Sequence, residues 1–215
     1  MGAGIAVACS SGPTSPGPAA HAPAPQFLAF QSARLTFRYT SIDASTIAHT
    51  AALVEAEIDR VTDDLGVTQM PTVTITLYPN VDALRTAMTP LVGFFPSFAS
   101  GLVTGADAVH ILSPNLTEQW AYRDGITNTV HEYAHCVSLR LNPTFGNNPR
   151  WLWESVALFE AGPYTDPSRL TAFTSGSPPP SFAQLNSFDN TIVNDVGASS
   201  VCSLWTRAAG TRFAR

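Results

Sequence analysis

His131-Glu132-Tyr133-Ala134-His135 is the stretch of this 215-residue chain from which the rest can be interpreted. Residues four apart in a helix lie one turn apart on the same face, so His131 and His135 can direct two imidazole nitrogens at one metal ion. Glu132 lies beside them and carries a carboxylate that can take a proton from a metal-bound water. This H-E-x-x-H pattern is typical of zinc-assisted hydrolysis.

A helix is predicted around the motif, because apolar residues recur there at helical spacing. The stripe points to a different side of the helix from the two histidines, so one side can pack while the histidine side faces a cleft. An ordinary polar helix face is the alternative interpretation of the histidine pair. The stripe consists of Ile126, Val130, Ala134, Val137 and Leu141.

Glu154 is the candidate for a third metal ligand, and eighteen residues separate it from His135. A catalytic zinc takes three protein ligands and leaves one position for water, and two histidines with one glutamate are a known set. Glu154 lies in the first turns of an apolar helix predicted over 149–160, where a charged group costs free energy unless it is paired or bound to a metal. The alternative is an exposed glutamate on an amphipathic helix.

The combination of HEYAH, eighteen residues and a Trp-x-x-Glu-x-x-Ala-x-aromatic segment resembles the gluzincin zinc metallopeptidases. It is most similar to small bacterial peptidase-MA-like domains related to aminopeptidase N and thermolysin. The resemblance is tight over 131–160 and looser over 33–130. It implies that His131, His135 and Glu154 bind Zn²⁺ and that Glu132 is the general base.

The chain departs from the family pattern in three places. Ser155 stands where the family usually has glycine, and Phe159 stands where it often has tyrosine. The Gly-Ala-Met-Glu-Asn segment by which aminopeptidases hold a substrate N-terminus is absent. These differences affect the expected specificity rather than the expected zinc site.

The first 26 residues are predicted to lie outside the fold, and residues 27–215 to form one zincin-like domain. Ala6-Val7-Ala8-Cys9 resembles the lipobox end of a bacterial lipoprotein signal, which would make Cys9 lipidated and the protein exported to the periplasm or cell surface. The following Pro-, Ser-, Gly- and Ala-rich tract is typical of a disordered tether. A plain disordered N-terminus is the alternative. A net charge of −5 does not favour nucleic acid as a partner.

An α+β fold with a small mixed sheet is predicted from the order of the elements. Within it, Asp43 is placed to begin the first helix and Gly66 to end it. The resemblance implies a thermolysin-like catalytic domain built around an active-site helix and a ligand helix. The predicted elements are a strand with one buried face over 32–40, a helix over 47–65, a strand over 73–78, a short helix over 81–88 and two short strands over 101–104 and 107–112.

In gluzincins, an edge strand just before the active-site helix binds the substrate backbone by strand addition. By resemblance, Ala108–Leu112 is the candidate for this strand. His110 lies within it and is interpreted as a strand residue without a catalytic role.

The segment after Gly162 is the part of the chain that the sequence predicts least. Gluzincins usually close the cleft with a C-terminal helical subdomain, which here is expected to be short or truncated. That subdomain often supplies a histidine or tyrosine that stabilises the oxyanion. No histidine follows His135, and Tyr164 is the one tyrosine that does, so Tyr164 serves, the stabiliser is missing, or the chain is truncated. Cys136 is interpreted as a packed residue, and its pairing with Cys202 stays open.

The expected function is therefore zinc-dependent hydrolysis of a peptide bond in a peptide or protein substrate. A metal-activated water would attack the carbonyl, with Glu132 as general base. Two alternatives remain at this point. One is a degenerate gluzincin domain that binds zinc or peptide without catalysis, and the other is a surface-anchored interaction domain.

Overall fold

The computed structural model describes residues 24–93, 95, 99–118, 120–145, 149–162 and 181–186. The chain is an α+β protein, as predicted. Its elements are β1 (Leu28–Gln31), β2 (Leu35–Tyr39), α1 (Ile47–Asp64), β3 (Val73–Tyr78), α2 (Val81–Val92), β4 (Gly101–Gly105), β5 (Ala108–Leu112), α3 (Tyr122–Leu141), α4 (Arg150–Glu160) and α5 (Phe182–Leu185).

Five strands form one mixed sheet in the order β1-β2-β3-β5-β4. The three inner strands β2, β3 and β5 run parallel, and β1 and β4 pair antiparallel at the two edges. The prediction that β5 is an edge strand is therefore wrong. The α2 crossover places β5 beside β3, and the hairpin that joins β4 to β5 leaves β4 on the outside.

One face of the sheet packs against α1 and α3 and forms the main core. Side chains alternate between the two faces of a strand, so Val73, Ile75 and Leu77 of β3 all point to this core. The predicted strand β2 contributes Leu35 and Phe37 in the same way. The helices contribute chiefly Ala51, Val54, Ile58, Val61, Ile126, Val130, Tyr133, Ala134 and Val137.

The other face of β3 is also buried. Tyr78 packs with Leu84 and Met88 of α2 and with Phe95, and Thr76 on the same face is also buried. The alternation of apolar and polar residues in β3 indicated the core-facing side but not this second layer. The physical reason is that threonine and tyrosine are tolerated on a buried pleated surface when an amphipathic helix covers them.

Asp43 does not begin α1, contrary to the prediction. The helix begins at Ile47 after Thr46, and Asp43 lies in a separate 3₁₀ turn. Its buried carboxylate accepts hydrogen bonds from Ser113 Oγ and Asn115 Nδ2, so it ties the start of α1 to the end of β5. The other end of α1 is as predicted, because Gly66 follows it with a φ of 70°.

α3 is buried on most of its circumference, because the sheet, α1 and α4 all pack against it. Of the predicted apolar stripe, Ile126, Val130, Ala134 and Val137 are buried. Leu141 is 61% exposed, so its assignment to the stripe is wrong. It is the last residue of the helix and extends past the elements that cover the rest.

The C-terminal end of α4 contacts α1 through Glu160 and Arg60. Glu160 is 1% exposed, and its Oε2 lies 3.1 Å from Nη1 of Arg60. A second guanidinium nitrogen of Arg60 donates to the backbone carbonyl of Glu160. Because buried carboxylates need such partners, this contact sets where the last turn of α4 lies.

Several predicted features lie outside the described residues. They include the lipobox-like Cys9, Tyr164 and Cys202. Among the residues that the structure describes, none of the helices combines the length and the apolar character needed to cross a membrane.

We expect the difference in free energy of unfolding between Glu160→Gln and wild type to shift in favour of the variant as the pH rises. Burial, reinforced by Asp64, outweighs Arg60 and raises the pKa of Glu160 from 4.5 to about 7. The folded protein then holds this proton more tightly than the unfolded chain. The contribution of Glu160 to stability is therefore fully present below pH 4.5 and is lost as the pH rises through about 7. Urea denaturation of both proteins across this range measures the difference.

The matched control is Glu57→Gln. Glu57 also contacts Arg60, at 3.0 Å, but its side chain is exposed. An advantage of Glu160→Gln that stays constant or falls with rising pH would contradict the prediction.

Candidate metal centre

His131, His135 and Glu154 come together where α4 crosses α3. Nε2 of His131 lies 3.3 Å from Oε2 of Glu154, and Nε2 of His135 lies 3.7 Å from the same oxygen. One ligand atom from each of the three residues lies within 4.8 Å of the other two. The helical spacing of the histidines and the distant glutamate thus form one cluster, as the sequence predicted.

These distances fit a tetrahedral metal ion. With bonds of about 2.0–2.1 Å, neighbouring ligands of a four-coordinate zinc are about 3.4 Å apart. The two measured distances to Oε2 of Glu154, 3.3 and 3.7 Å, bracket that separation. Two imidazole nitrogens and one carboxylate oxygen also match the donors of a catalytic zinc with an open fourth position.

The protonation states of His135 and Glu154 also suit a metal. Burial disfavours the charged form of His135 and lowers its pKa to about 4. For His131, burial acts in the same direction, but the contact with Glu154 and the nearby carboxylates raise the pKa above its ordinary value. The two adjacent histidines hold the pKa of Glu154 far below its ordinary value despite burial. An ionised carboxylate is thus available to a cation.

The second carboxylate oxygen of Glu154 faces Arg150. Nη2 of Arg150 lies 3.4 Å from Oε1 of Glu154, four residues later on the same helix. The backbone N–H of Arg150 in turn donates to Oδ1 of Asn186. With Oε1 directed at the guanidinium and Oε2 at the histidines, the carboxylate has one orientation in which both oxygens are satisfied.

Glu132 lines the same cavity as the cluster. It is 6% exposed, and burial, with a smaller effect of Glu154, raises its pKa to about 7 although His131 lowers it. A carboxyl with a pKa near neutrality can both accept and return a proton under physiological conditions. Glu132 therefore has a chemical character different from that of Glu154, although both are buried glutamates in one site.

The cavity has a volume of about 500 Å³. Ser100, Gly101, Leu102 and Val103 form one wall, so the edge strand β4 runs beside the cluster. Nδ2 of Asn128, one turn before Glu132 on α3, donates to Oγ of Ser100 at 2.8 Å. This bond fixes the start of β4 against α3.

Trp153 stacks on the ring of His135. The ring centroids are 4.1 Å apart and the planes differ by 4°, and Phe145 packs against the indole. Nδ1 of His135 is buried and has no hydrogen-bond partner within the described part of the chain. Metal-binding histidines usually have their ring oriented by a hydrogen bond at the second nitrogen. Here the indole face restricts the plane of the ring.

His110 and Cys136 lie outside the cluster. The two ring nitrogens of His110 are each 3.1 Å from a hydroxyl, one of Tyr78 and one of Thr104, and His110 does not line the cavity. Cys136 is buried, its Sγ lies 3.5 Å from the carbonyl of Gly105, and burial raises its thiol pKa. Both behave as packed residues.

Four residues of the site were not predicted. Arg150 lies four residues before Glu154, Asn128 lies four before Glu132, and both spacings place a polar partner on the same helix face. Gly101 within a strand signals a close approach of another group. The stacking of Trp153 on His135 has no signal in the sequence, because it depends on how α4 crosses α3.

Comparison with models of known protein families, with curated proteins and with solved structures finds no match for this chain.

We expect Trp153→Leu to lower the affinity for Zn²⁺ by roughly 10–100-fold, the usual effect of losing a group that orients a metal-binding histidine. Trp153→Phe keeps an aromatic face against His135 and should stay near wild type. Competition with a chromophoric chelator measures both affinities.

Trp151→Leu is the matched control, because Trp151 lies on the same helix but about 200° around it from Trp153. Equal losses of affinity in the two leucine variants would show that the effect comes from general damage to α4.

Proposed function

We propose that this chain is a zinc-dependent peptidase of the gluzincin type. The observation that carries the proposal is the cluster of His131, His135 and Glu154 at metal-binding distances, with Glu132 in the same cavity. The order of sheet strands, active-site helix and ligand helix is compatible with the first part of a thermolysin-like domain. The departures at Ser155 and Phe159 leave the ligand set intact.

Zn²⁺ at this cluster would polarise the substrate carbonyl and bring the pKa of a water molecule towards neutrality. Glu132 takes the proton from the attacking water and later delivers it to the leaving amine. Glu132 lines the cavity that holds the cluster, so its carboxyl is placed to act as this base. His131, His135 and Glu154 are held by α3 and α4, so they need little reorganisation.

Burial of the site serves the same chemistry. Glu132 is 6% exposed, so the walls of the cavity limit how much bulk water surrounds its carboxyl. Arg150 keeps Glu154 pointed at the histidines through its contact with Oε1. Trp153 keeps the plane of His135 fixed from the other side.

The substrate backbone would bind along the outer edge of β4, which pairs with no other strand among the described residues. The N–H of Leu112 in β5 donates to the carbonyl of Ser100. In antiparallel strands, directly opposite residues alternate between hydrogen-bonded and non-hydrogen-bonded pairs. The backbone groups of Gly101 and Val103 therefore point away from β5, towards the side on which a peptide can add as a sixth strand. This assigns to β4 the role that the sequence assigned to β5.

The test is metal content together with peptide cleavage. Purified wild type and Glu132→Gln should each hold one zinc, and His135→Ala should lose it, because His135 is one of the proposed ligands and Glu132 is not. Glu132→Gln should lower kcat by about 10²–10⁴-fold on a mixed peptide library, the range expected for loss of a general base. Inductively coupled plasma mass spectrometry and a fluorogenic cleavage assay give the two readings.

The outcomes separate the proposal from its alternatives. Wild-type protein that holds zinc but cleaves no peptide would indicate a non-catalytic zinc domain. Wild-type protein without stoichiometric zinc would contradict the metal centre itself.

A further inference from the structure

Gly101 lies against the carboxyl group of Glu132. A methyl group added at its Cα would lie 2.7 Å from Oε1, 2.9 Å from Cγ and 3.0 Å from Cδ of Glu132. Contacts this short between carbon and other heavy atoms do not persist in folded proteins, so one of the two groups would have to move. The carboxyl end of Glu132 therefore occupies the space that a side chain at position 101 would fill.

The backbone of β4 is not free to make that space. It is paired with β5 from Gly101 to Gly105. Its start is held by the hydrogen bond from Asn128 to Ser100 and by the one from the Leu112 N–H to the Ser100 carbonyl. α3 is packed between the sheet and two helices. The side chain of Glu132 is the flexible partner, so it is the group that moves.

The backbone conformation at position 101 does not require glycine. The positive-φ glycines in the described residues are Gly66, Gly93 and Gly162. Gly101 has strand geometry that alanine also adopts. The steric contact with Glu132 therefore accounts for what glycine does here.

We propose that Gly101 is the positioning residue for the general base, holding the carboxyl of Glu132 at its working place by leaving room for it. The catalytic consequence depends on the proposed peptidase function, whereas the contact itself does not. A general base must lie within about 2.6–3.2 Å of the proton that it takes. A displacement of about 1 Å is enough to cost 10²-fold in rate.

The primary test is Gly101→Ala in the full chain. Zinc content should stay at one per chain, because the atoms nearest the new methyl belong to Glu132, which is not a proposed ligand. We expect kcat to fall about 100-fold with little change in KM, because alanine keeps the backbone N–H and C=O that face the substrate. Gly105→Ala is the matched control in the same strand, since its new methyl would meet only Oδ1 of Asp107, at 3.2 Å. Its kcat should stay near wild type.

Full activity of Gly101→Ala would overturn the proposal, as would loss of its zinc.

A double-mutant cycle with Tm as the readout tests the contact between Gly101 and Glu132 without an activity assay. The drop in Tm on Gly101→Ala should be larger in wild type than in Glu132→Ala, where the clash is absent. Equal drops would overturn the contact. If wild type itself cleaves no peptide, the proposed function fails, and this cycle still decides whether Gly101 and Glu132 are coupled.

Discussion

The packing of α4 across α3 is the contact on which the candidate site depends. α3 alone presents two imidazoles on one face, but the third donor is eighteen residues away and belongs to another helix. α4 is held at its far end by the buried pair of Glu160 and Arg60. At its near end, Arg150 and the histidines fix the two oxygens of Glu154. A rotation of α4 about its axis would remove Glu154 from the cluster, so contacts more than a turn away set the geometry of the three side chains.

Burial shifts the pKa values of the ionisable groups of this site in different directions, so these groups have different chemical characters. It raises the pKa of Glu132 to about 7 and lowers that of His135 to about 4, so both groups tend towards their neutral forms. The pKa of Glu154 is instead lowered, because its carboxylate lies beside the two imidazoles. Two glutamates in one cavity thus differ by environment alone. A core selected only for stability would replace such groups with apolar side chains, so their presence favours a functional interpretation.

The local parts of the fold were accessible from the sequence, and the pairing of distant parts was not. Helical periodicity located α1 and α3, and the His135-to-Glu154 spacing identified side chains that do meet. The prediction that Asp43 caps α1 failed because its carboxylate accepts hydrogen bonds from Ser113 and Asn115. These two residues lie about seventy residues away in the sequence. Likewise, no pattern within β5 reveals that its neighbour β4 takes the edge position. The order of the strands depends on where each crossover connection places the next strand in the sheet. Packing decides that placement.

The topology of the hairpin has a consequence for the chemistry. β4 is outermost among the described strands, and its face lies against α3. In the proposed peptidase, this strand would bind the substrate along its outer edge and also approach the helix that carries the proposed general base. A side chain at the point of closest approach would compete with Glu132 for space. Glycine removes the competition without changing the backbone groups along the edge. The edge position of β4 brings this strand close to Glu132, and the glycine at its first residue leaves room for the carboxyl group there.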